Sequence, residues 1–178
     1  RQFGVASSVS LSAENGLAEP SISMFARNAS VDDAAVWAAI SPSSNLRYSD
    51  LVAVNRGAET PSVVLNSVAA ETLEVGQGDV LEVGAFVTRD GERVRTTTDV
   101  AVFAVVANEG QGAMAGTRSP AVFTDLLTAQ SILGMDGELN QVSLAFDDAL
   151  DESELRRLAQ RVEAVSYTHL TLPTKSGV

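Results

Sequence analysis

The side chains that usually perform acid–base and nucleophilic chemistry are scarce in this chain and unevenly placed. Its only histidine, His169, and its only lysine, Lys175, both lie after residue 164, and it contains no cysteine. Histidine is the usual general base near neutral pH, and thiolates and lysine amines are common nucleophiles. Up to residue 164, catalysis would therefore rest on carboxylates, hydroxyls, arginines or Tyr48. We predict from this that the chain is not an enzyme.

Two further stretches have the composition of ligand-binding loops without the required spacing. Residues 110–116, GQGAMAG, are not followed by Lys-Ser or Lys-Thr, so they match neither the dinucleotide nor the phosphate-loop fingerprint. The acidic residues of 147–154 lack the alternate spacing and central glycine of a calcium loop. We interpret the first stretch as a mobile loop and the second as the acidic start of a helix. We predict no catalytic, cofactor-binding or metal-binding residue.

The chain is strongly acidic, since 23 Asp and Glu residues against 12 Lys and Arg residues give a formal net charge of −11. Nucleic-acid binding needs clustered basic residues that neutralise phosphates, so this charge disfavours a nucleic-acid partner. Hydrophobic residues make up 45% of the chain, which is typical of a folded domain. The longest apolar run, residues 100–107, has the length of a strand and is far shorter than the ~18–20 residues of a membrane helix.

The histidine and lysine belong to a segment that differs from the rest of the chain. Residues 165–174, VSYTHLTLPT, resemble the translation of a transposase adapter used in DNA library preparation. We therefore expect residues 165–178 to be a non-native tail and exclude them from the fold prediction. Because the chain starts Arg1-Gln2-Phe3 without a methionine, we expect residues 1–164 to be a fragment of a longer protein, cut at both ends.

The first sixty residues predict two strands followed by less regular structure. Apolar residues alternate with polar ones over 3–13 and again over 22–26, which indicates two adjacent strands. Ser30 followed by two aspartates indicates the start of a short helix through Ile40. We expect a loop over 42–50 and a short strand over 51–54.

The rest of the chain predicts strands with short helices between them. Turn residues and capping residues divide the apolar runs at regular intervals. The predicted order is strand 62–66, helix 68–73, turn 76–79, strand 80–88, hairpin turn 89–92, strand 94–107, loop 108–119, strand 120–123, helix 125–133, strand 139–146 and a helix from residue 151. This order predicts an α+β fold with a mixed, mainly antiparallel sheet and short interleaved helices, rather than a doubly wound parallel fold. No internal repeat is evident.

Two stretches resemble the extracytoplasmic domain of ABC transporter permeases of the MacB/FtsX type. The first is VVLNSVAAETLEVGQGDVLEV, residues 63–83, where a strand ending in Asn leads to a small helix and a Gly-Asp turn. The second is PAVFTDLLTAQSILGMDGELNQVSLAF, residues 120–146, where an Ala-Gln helix ends in Leu-Gly before an Asn-containing strand. The matching positions are Asn66, Ala69, Ala70, Leu73, Gly78, Asp79, Ala129, Gln130, Leu133, Gly134 and Asn140.

The resemblance implies a MacB-like periplasmic core domain, incomplete at both ends, on the extracytoplasmic side of the cell membrane. It implies membrane helices on both sides of the fragment, an ABC ATPase subunit or domain that binds ATP and Mg, a second permease copy and an extracytoplasmic partner protein. No cofactor is expected in the domain itself. The matching residues have structural roles: Gly78 for turn geometry, Asp79 for bonds to turn amides and Gly134 as a helix end.

Two alternatives remain open at this point. The pattern of residues 63–83 also resembles a double-psi β-barrel, as in the C-terminal domain of molybdopterin oxidoreductases, which would make the chain a cofactor-binding module. Against this, the Ala-Gln helix and the last helix are not expected in a small barrel. The other alternative is a free-standing soluble binding domain.

Overall fold

A computed structural model describes residues 2–28, 36–42, 45–89, 91–116, 118–143, 153–154 and 156–157. The chain divides into two compact units, residues 1–143 and 144–178. In the second unit, the described residues Ser153, Glu154, Arg156 and Arg157 are helical and exposed. Most of the helix predicted from residue 151, and the whole tail 165–178, lie outside the described residues.

The described part of the first unit contains nine strands and three short helices. A single 3-10 turn, Gly110–Ala113, lies between the seventh and eighth strands. The elements are β1 (Gln2–Ala13), β2 (Ala18–Arg27), β3 (Val36–Ser41), β4 (Asn45–Arg47), α1 (Tyr48–Asn55), β5 (Ser62–Asn66), α2 (Ser67–Leu73), β6 (Val80–Arg89), β7 (Glu92–Val106), β8 (Ala121–Asp125), α3 (Leu126–Leu133) and β9 (Gln141–Ser143).

Six of the strands close into a barrel in the order β7-β5-β8-β2-β1-β6, with β6 paired back to β7. The pairs β2–β8 and β5–β7 are parallel, and the other barrel pairs are antiparallel. Strands β3 and β4 extend the sheet outward from β7, and β9 pairs with β1. The predicted mixed, mainly antiparallel sheet with short helices is therefore confirmed. Its closure into a barrel was not part of that fold prediction and was raised only by the double-psi β-barrel alternative.

The barrel has a two-fold pattern of pairing that the sequence did not reveal. If β5 is exchanged with β8, β6 with β1 and β7 with β2, every pairing in the barrel, parallel or antiparallel, stays the same. A helix follows β5 and another follows β8, and each ends at a residue in the left-handed conformation, Glu74 and Gly134. No repeat was evident in the sequence because one of the two units is split, with its hairpin at the start of the chain and its strand and helix near residue 130.

Strands β5 and β8 run through the centre of the structure and are buried along their whole length. One face of this pair contacts the barrel interior, which β1 fills with alternate residues such as Val5, Val9 and Leu11. The opposite face contacts a second apolar cluster outside the barrel. This outer cluster contains Trp37, Leu46, Tyr48, Leu51, Val64, Ala104, Val106, Ala121 and Phe123.

Two predictions for residues 36–54 are wrong, and the outer cluster gives the reason. Residues 36–40, predicted as the end of a helix, belong to strand β3, which pairs with β7 and places Trp37 against Tyr48 and Phe123 at centroid distances of 4.2 and 5.7 Å. Residues 51–54, predicted as a strand, belong to helix α1, which buries Leu51 and Tyr48. Within the predicted loop 42–50, three residues form β4. Tertiary packing thus overrides weak local propensity here.

Candidate functional site

Asn66 connects three parts of the barrel through one buried side chain. It is the last residue of β5 and is fully buried. Its Oδ1 accepts hydrogen bonds from the backbone N–H of Ala69, at the start of α2, and of Ala121, at the start of β8, both at 3.0 Å. Its Nδ2 donates to three oxygens of the β7–β8 connection: Asn108 Oδ1 at 2.9 Å, Ser119 O at 2.9 Å and Gly112 O at 3.2 Å.

The glycine-rich connection between β7 and β8 is therefore tied to the barrel by Asn66. Gly112 packs so tightly that a Cβ atom there would lie 2.1 Å from the carbonyl oxygen of Ala107. The sequence predicted this segment as a loop, and it contains a 3-10 turn. Gly112 therefore serves close backbone packing, whereas Gly110 and Gly116 have positive φ angles of +51° and +115°.

Asp125 holds the equivalent position at the end of β8. Its Oδ1 accepts from the backbone N–H of Thr128 at 3.0 Å, which caps helix α3 as the sequence predicted. Its Oδ2 accepts from Thr128 Oγ1 and from Asn55 Nδ2, both at 2.6 Å. Asn55, the last residue of α1, also binds the backbone N–H and C=O of Ser62, the first residue of β5. Sequence reasoning missed Asn55, because no local signal marks its distant partners.

The Gly-Asp turn before β6 is joined to β7 by backbone hydrogen bonds. Gly78 has a φ of +94°, and its N–H donates to Val102 O at 2.8 Å. The Asp79 carboxylate accepts from the backbone N–H of Gly76 at 2.8 Å, and the Asp79 carbonyl accepts from Val102 N–H at 2.8 Å. Ala69 and Leu73, on the preceding helix, are fully buried.

The residues of the second resembling stretch lie in the other strand–helix unit, β8 and α3, and in the connection that follows it. Ala129 is fully buried, and Gln130 Nε2 donates to the carbonyl of Glu138 at 2.7 Å. Gly134 ends α3 with a φ of +62°, and a Cβ atom there would lie 3.1 Å from Val87 Cβ on β6. Asn140 exchanges two hydrogen bonds of 2.8 Å with the backbone of Ala6 on β1.

Nine of the eleven matching positions have been described above, and they do not converge on one pocket. Asn66, Ala69 and Leu73 surround the start and buried face of α2, and Gly78 and Asp79 form the turn before β6. The other four lie on α3 or on the connection after it: Ala129, Gln130, Gly134 and Asn140. Their common role is to join strands to helices and to fix the connections of the barrel.

A groove of about 580 Å³ lies beside Asp125, between the end of β2, helix α1 and the start of α3. Arg27 and Arg56 line it, together with Val52 and Leu127, which is 76% exposed. Asp125 also lines the groove, but it is buried and its carboxylate is engaged by Asn55 and Thr128. The sequence did not single out these arginines, because each stands alone in its own segment.

Tyr48, kept as a possible reactive residue in the sequence, is buried under the outer cluster. Burial raises the pKa of its hydroxyl well above its usual range, and the nearby Arg27 guanidinium lowers it only in part. The hydroxyl has no hydrogen-bond partner among the described residues. It is therefore neutral at physiological pH, and its position suits packing against Trp37 rather than proton transfer.

Within the described residues, no group of three or more Asp, Glu or His side chains is placed to hold a metal ion. None of the helices that the structure describes has the length and apolar character of a membrane span. No model of a known protein family matches the chain, and no curated protein is significantly similar to it.

Proposed function

We propose that this chain is the non-catalytic extracytoplasmic domain of an ABC transporter permease of the MacB/FtsX type. In this proposal it couples ATP hydrolysis in a separate cytoplasmic domain or subunit to export or release of a substrate, or to mechanical transmission. The observation that supports it is the placement of the two resembling motifs. Residues 63–83 and the described part of the second stretch, residues 120–143, form strand–helix units of one barrel, and their matching residues fix the junctions of these units.

Such a barrel suits mechanical coupling because it resists internal deformation. The ring of six strands has no open edge, since β6 pairs with β7 over its whole length. Hydrogen bonds of the buried residues Asn66 and Asp125 hold helices, strands and connections together at both junctions. Displacement of one end then moves the whole unit as a rigid body, which is a common form of conformational transmission.

The proposal assigns partners outside the described domain. These are the chain's own flanking membrane helices, an ABC ATPase that binds ATP and Mg, a second permease copy and an extracytoplasmic partner protein. The domain itself lies on the extracytoplasmic side of the cell membrane and holds no cofactor.

Co-purification of the full gene product tests this proposal. The complete open reading frame is expressed with the ABC ATPase encoded next to it, and the ATPase is captured through an affinity tag. We expect the full gene product to be extracted from membranes and to co-purify with the tagged ATPase. Recovery of the gene product from the aqueous fraction, without the ATPase, would contradict the proposal.

One observation favours the cofactor-barrel alternative as a second candidate. Helix α3, the Ala-Gln helix that was not expected in a small barrel, packs against β1, β2, β6 and β8 and is part of this barrel. The part of the objection that rested on this helix is therefore wrong; most of the last helix, its other part, lies outside the described residues. In the second candidate the chain would be a cofactor-binding module of an oxidoreductase. Coding sequence for a large metal- or cluster-binding enzyme directly upstream would support it, whereas membrane spans on both sides would exclude it.

A further inference from the structure

The hairpin of β6 and β7 presents two arginines and an aromatic ring on its outer face. Residues directly opposite in an antiparallel pair share a face, and the buried residues Val83, Ala85 and Val87 mark the inner one. The next residues along β6 therefore point outward with their partners on β7. We call this surface the arginine face; it consists of Gly84 with Thr97, Phe86 with Arg95, and Thr88 with Arg93.

The Phe86 ring orders the first arginine. The guanidinium carbon of Arg93 lies 4.5 Å from the ring centroid, in the geometry of a cation–π contact. The Phe86 side chain is 59% exposed, so both groups remain accessible to a partner. Because the ring already restrains the guanidinium, Arg93 loses less conformational freedom on binding than an unsupported arginine would.

Gly84 gives the second arginine its position. A Cβ atom at residue 84 would lie 2.9 Å from Arg95 Nη2, 3.2 Å from Arg95 Nε and 2.4 Å from Ser10 Oγ. The Arg95 guanidinium therefore lies flat on the sheet, where only a glycine leaves room for it. Since Arg93 and Arg95 are two residues apart on one strand and share a face, their Cα atoms lie roughly 7 Å apart.

The charge of this surface is opposite to that of the chain as a whole. The chain has a formal net charge of −11, yet the arginine face carries two cations and no acid. Among the described residues, neither guanidinium has a carboxylate partner. Arginine and aromatic side chains of this kind dominate the binding energy of many protein interfaces.

We propose that the arginine face docks an extended acidic segment of a partner protein, with carboxylates on alternate residues. Carboxylates two residues apart in an extended chain repeat at the same spacing as Arg93 and Arg95. Each can then accept paired hydrogen bonds from one planar guanidinium. A narrow segment fits better than an anionic bilayer, because the acidic pair Glu82 and Asp99 lies next on the same outer face and would repel a wider negative surface. The proposal does not depend on the permease assignment.

A fluorescent peptide of alternating Glu and Thr residues serves as the probe. Its binding to the full chain is followed by fluorescence anisotropy at ionic strength of about 0.15 M, where a Debye length of roughly 8 Å screens repulsion from distant acids. We expect the double substitution Arg93→Gln with Arg95→Gln to weaken binding at least about tenfold, through loss of two charge-assisted contacts. Gly84→Ala keeps both arginines but displaces Arg95, and we expect it to weaken binding about threefold or more.

The matched control is Arg118→Gln with Arg157→Gln, which removes the same charge from two exposed arginines outside the arginine face and the groove. This control should change binding less than about twofold. A peptide of the same composition with its glutamates adjacent should bind more weakly than the alternating one. Thermal melting confirms that all variants are folded.

The proposal is contradicted if the peptide does not bind the unmodified chain, or if both double variants lose binding equally. It is also contradicted if the face binds only phosphatidylglycerol vesicles, or if sedimentation experiments show that a second copy of the chain occupies it.

Discussion

Asn66 and Asp125 occupy equivalent positions in the two halves of the barrel. Each is the last residue of a buried strand, and each accepts a 3.0 Å hydrogen bond from the backbone N–H three residues further on. The remaining polar atoms of each side chain bind groups from other elements: the β7–β8 connection for Asn66, and the end of α1 for Asp125. The two junctions are thus the points where stability of the barrel is most sensitive to a single polar group.

Removal of the Asn66 side chain is expected to destabilise the fold strongly. Asn66→Ala leaves the buried N–H groups of Ala69 and Ala121 without their acceptor, which costs about 2–4 kcal/mol in free energy of unfolding. Urea denaturation measures this difference. The matched control is Asn140→Ala, whose partners lie at an exposed position where water replaces the lost bonds, with an expected cost of about 0.5–1.5 kcal/mol. Equal costs for the two variants would contradict the central role of Asn66.

Asn55 and Asp125 are expected to act together. Their side chains are joined by a 2.6 Å hydrogen bond, so each single alanine substitution leaves the other group partly unsatisfied. A double-mutant cycle of Asn55→Ala and Asp125→Ala should give a coupling energy of about 0.5–3 kcal/mol. Asn15→Ala, which shares no hydrogen-bond partner with Asp125, should combine additively with Asp125→Ala. Additive behaviour of the first pair would show that the contact contributes nothing to stability.

Two glycines with similar backbone conformations should respond differently to alanine. Gly137 has a φ of +73° with open space around it, so Gly137→Ala costs about 1–2 kcal/mol from the backbone alone. Gly134 has a φ of +62° and contacts Val87, so Gly134→Ala adds overpacking and costs at least about 1 kcal/mol more. Melting temperatures of the two variants give the comparison. A larger loss for Gly137→Ala would contradict the packing of α3 against β6.

Tyr48 is expected to make stability fall at alkaline pH. Because burial raises the pKa of its hydroxyl in the folded state, the unfolded chain loses this proton first as the pH rises above about 10. Stability is therefore complete below that pH and declines above it. Tyr48→Phe should reduce this decline and leave stability at pH 7 unchanged or raised, since the hydroxyl has no partner among the described residues. Urea denaturation at several pH values measures both effects; an unchanged decline in the variant would contradict the assignment.

The strand–helix units could be predicted from the sequence because their signals are local. Residues 62–73 and 121–133 each combine a short apolar run, a capping residue and a helix end within a dozen residues. Closure of the barrel depends instead on pairs such as β1–β6 and β2–β8, which join strands far apart in sequence. No periodicity within a single strand specifies its partner, so the sheet was predicted from the pattern, and a barrel was raised only as an alternative through the resemblance of residues 63–83.

Among the residues of the candidate site, too, those with local partners could be predicted and those with distant partners could not. The capping role of Asp125 was predicted, because its partner Thr128 lies three residues away. The roles of Asn55, Arg27 and Arg56 were not, since the groove forms only where α1 meets β2 and α3. The arginine face required the register of β6 and β7, which pairs Phe86 with Arg95 rather than with a sequence neighbour.

The coding sequence on both sides of this reading frame tests the permease assignment most directly. It is read from intact genomic DNA, well past the codons for Arg1 and Val178. The account predicts an apolar span of about 20 residues on each side and a different sequence from codon 165 onward. A frame that begins with a methionine just upstream, keeps His169 and stops after Val178 would contradict it.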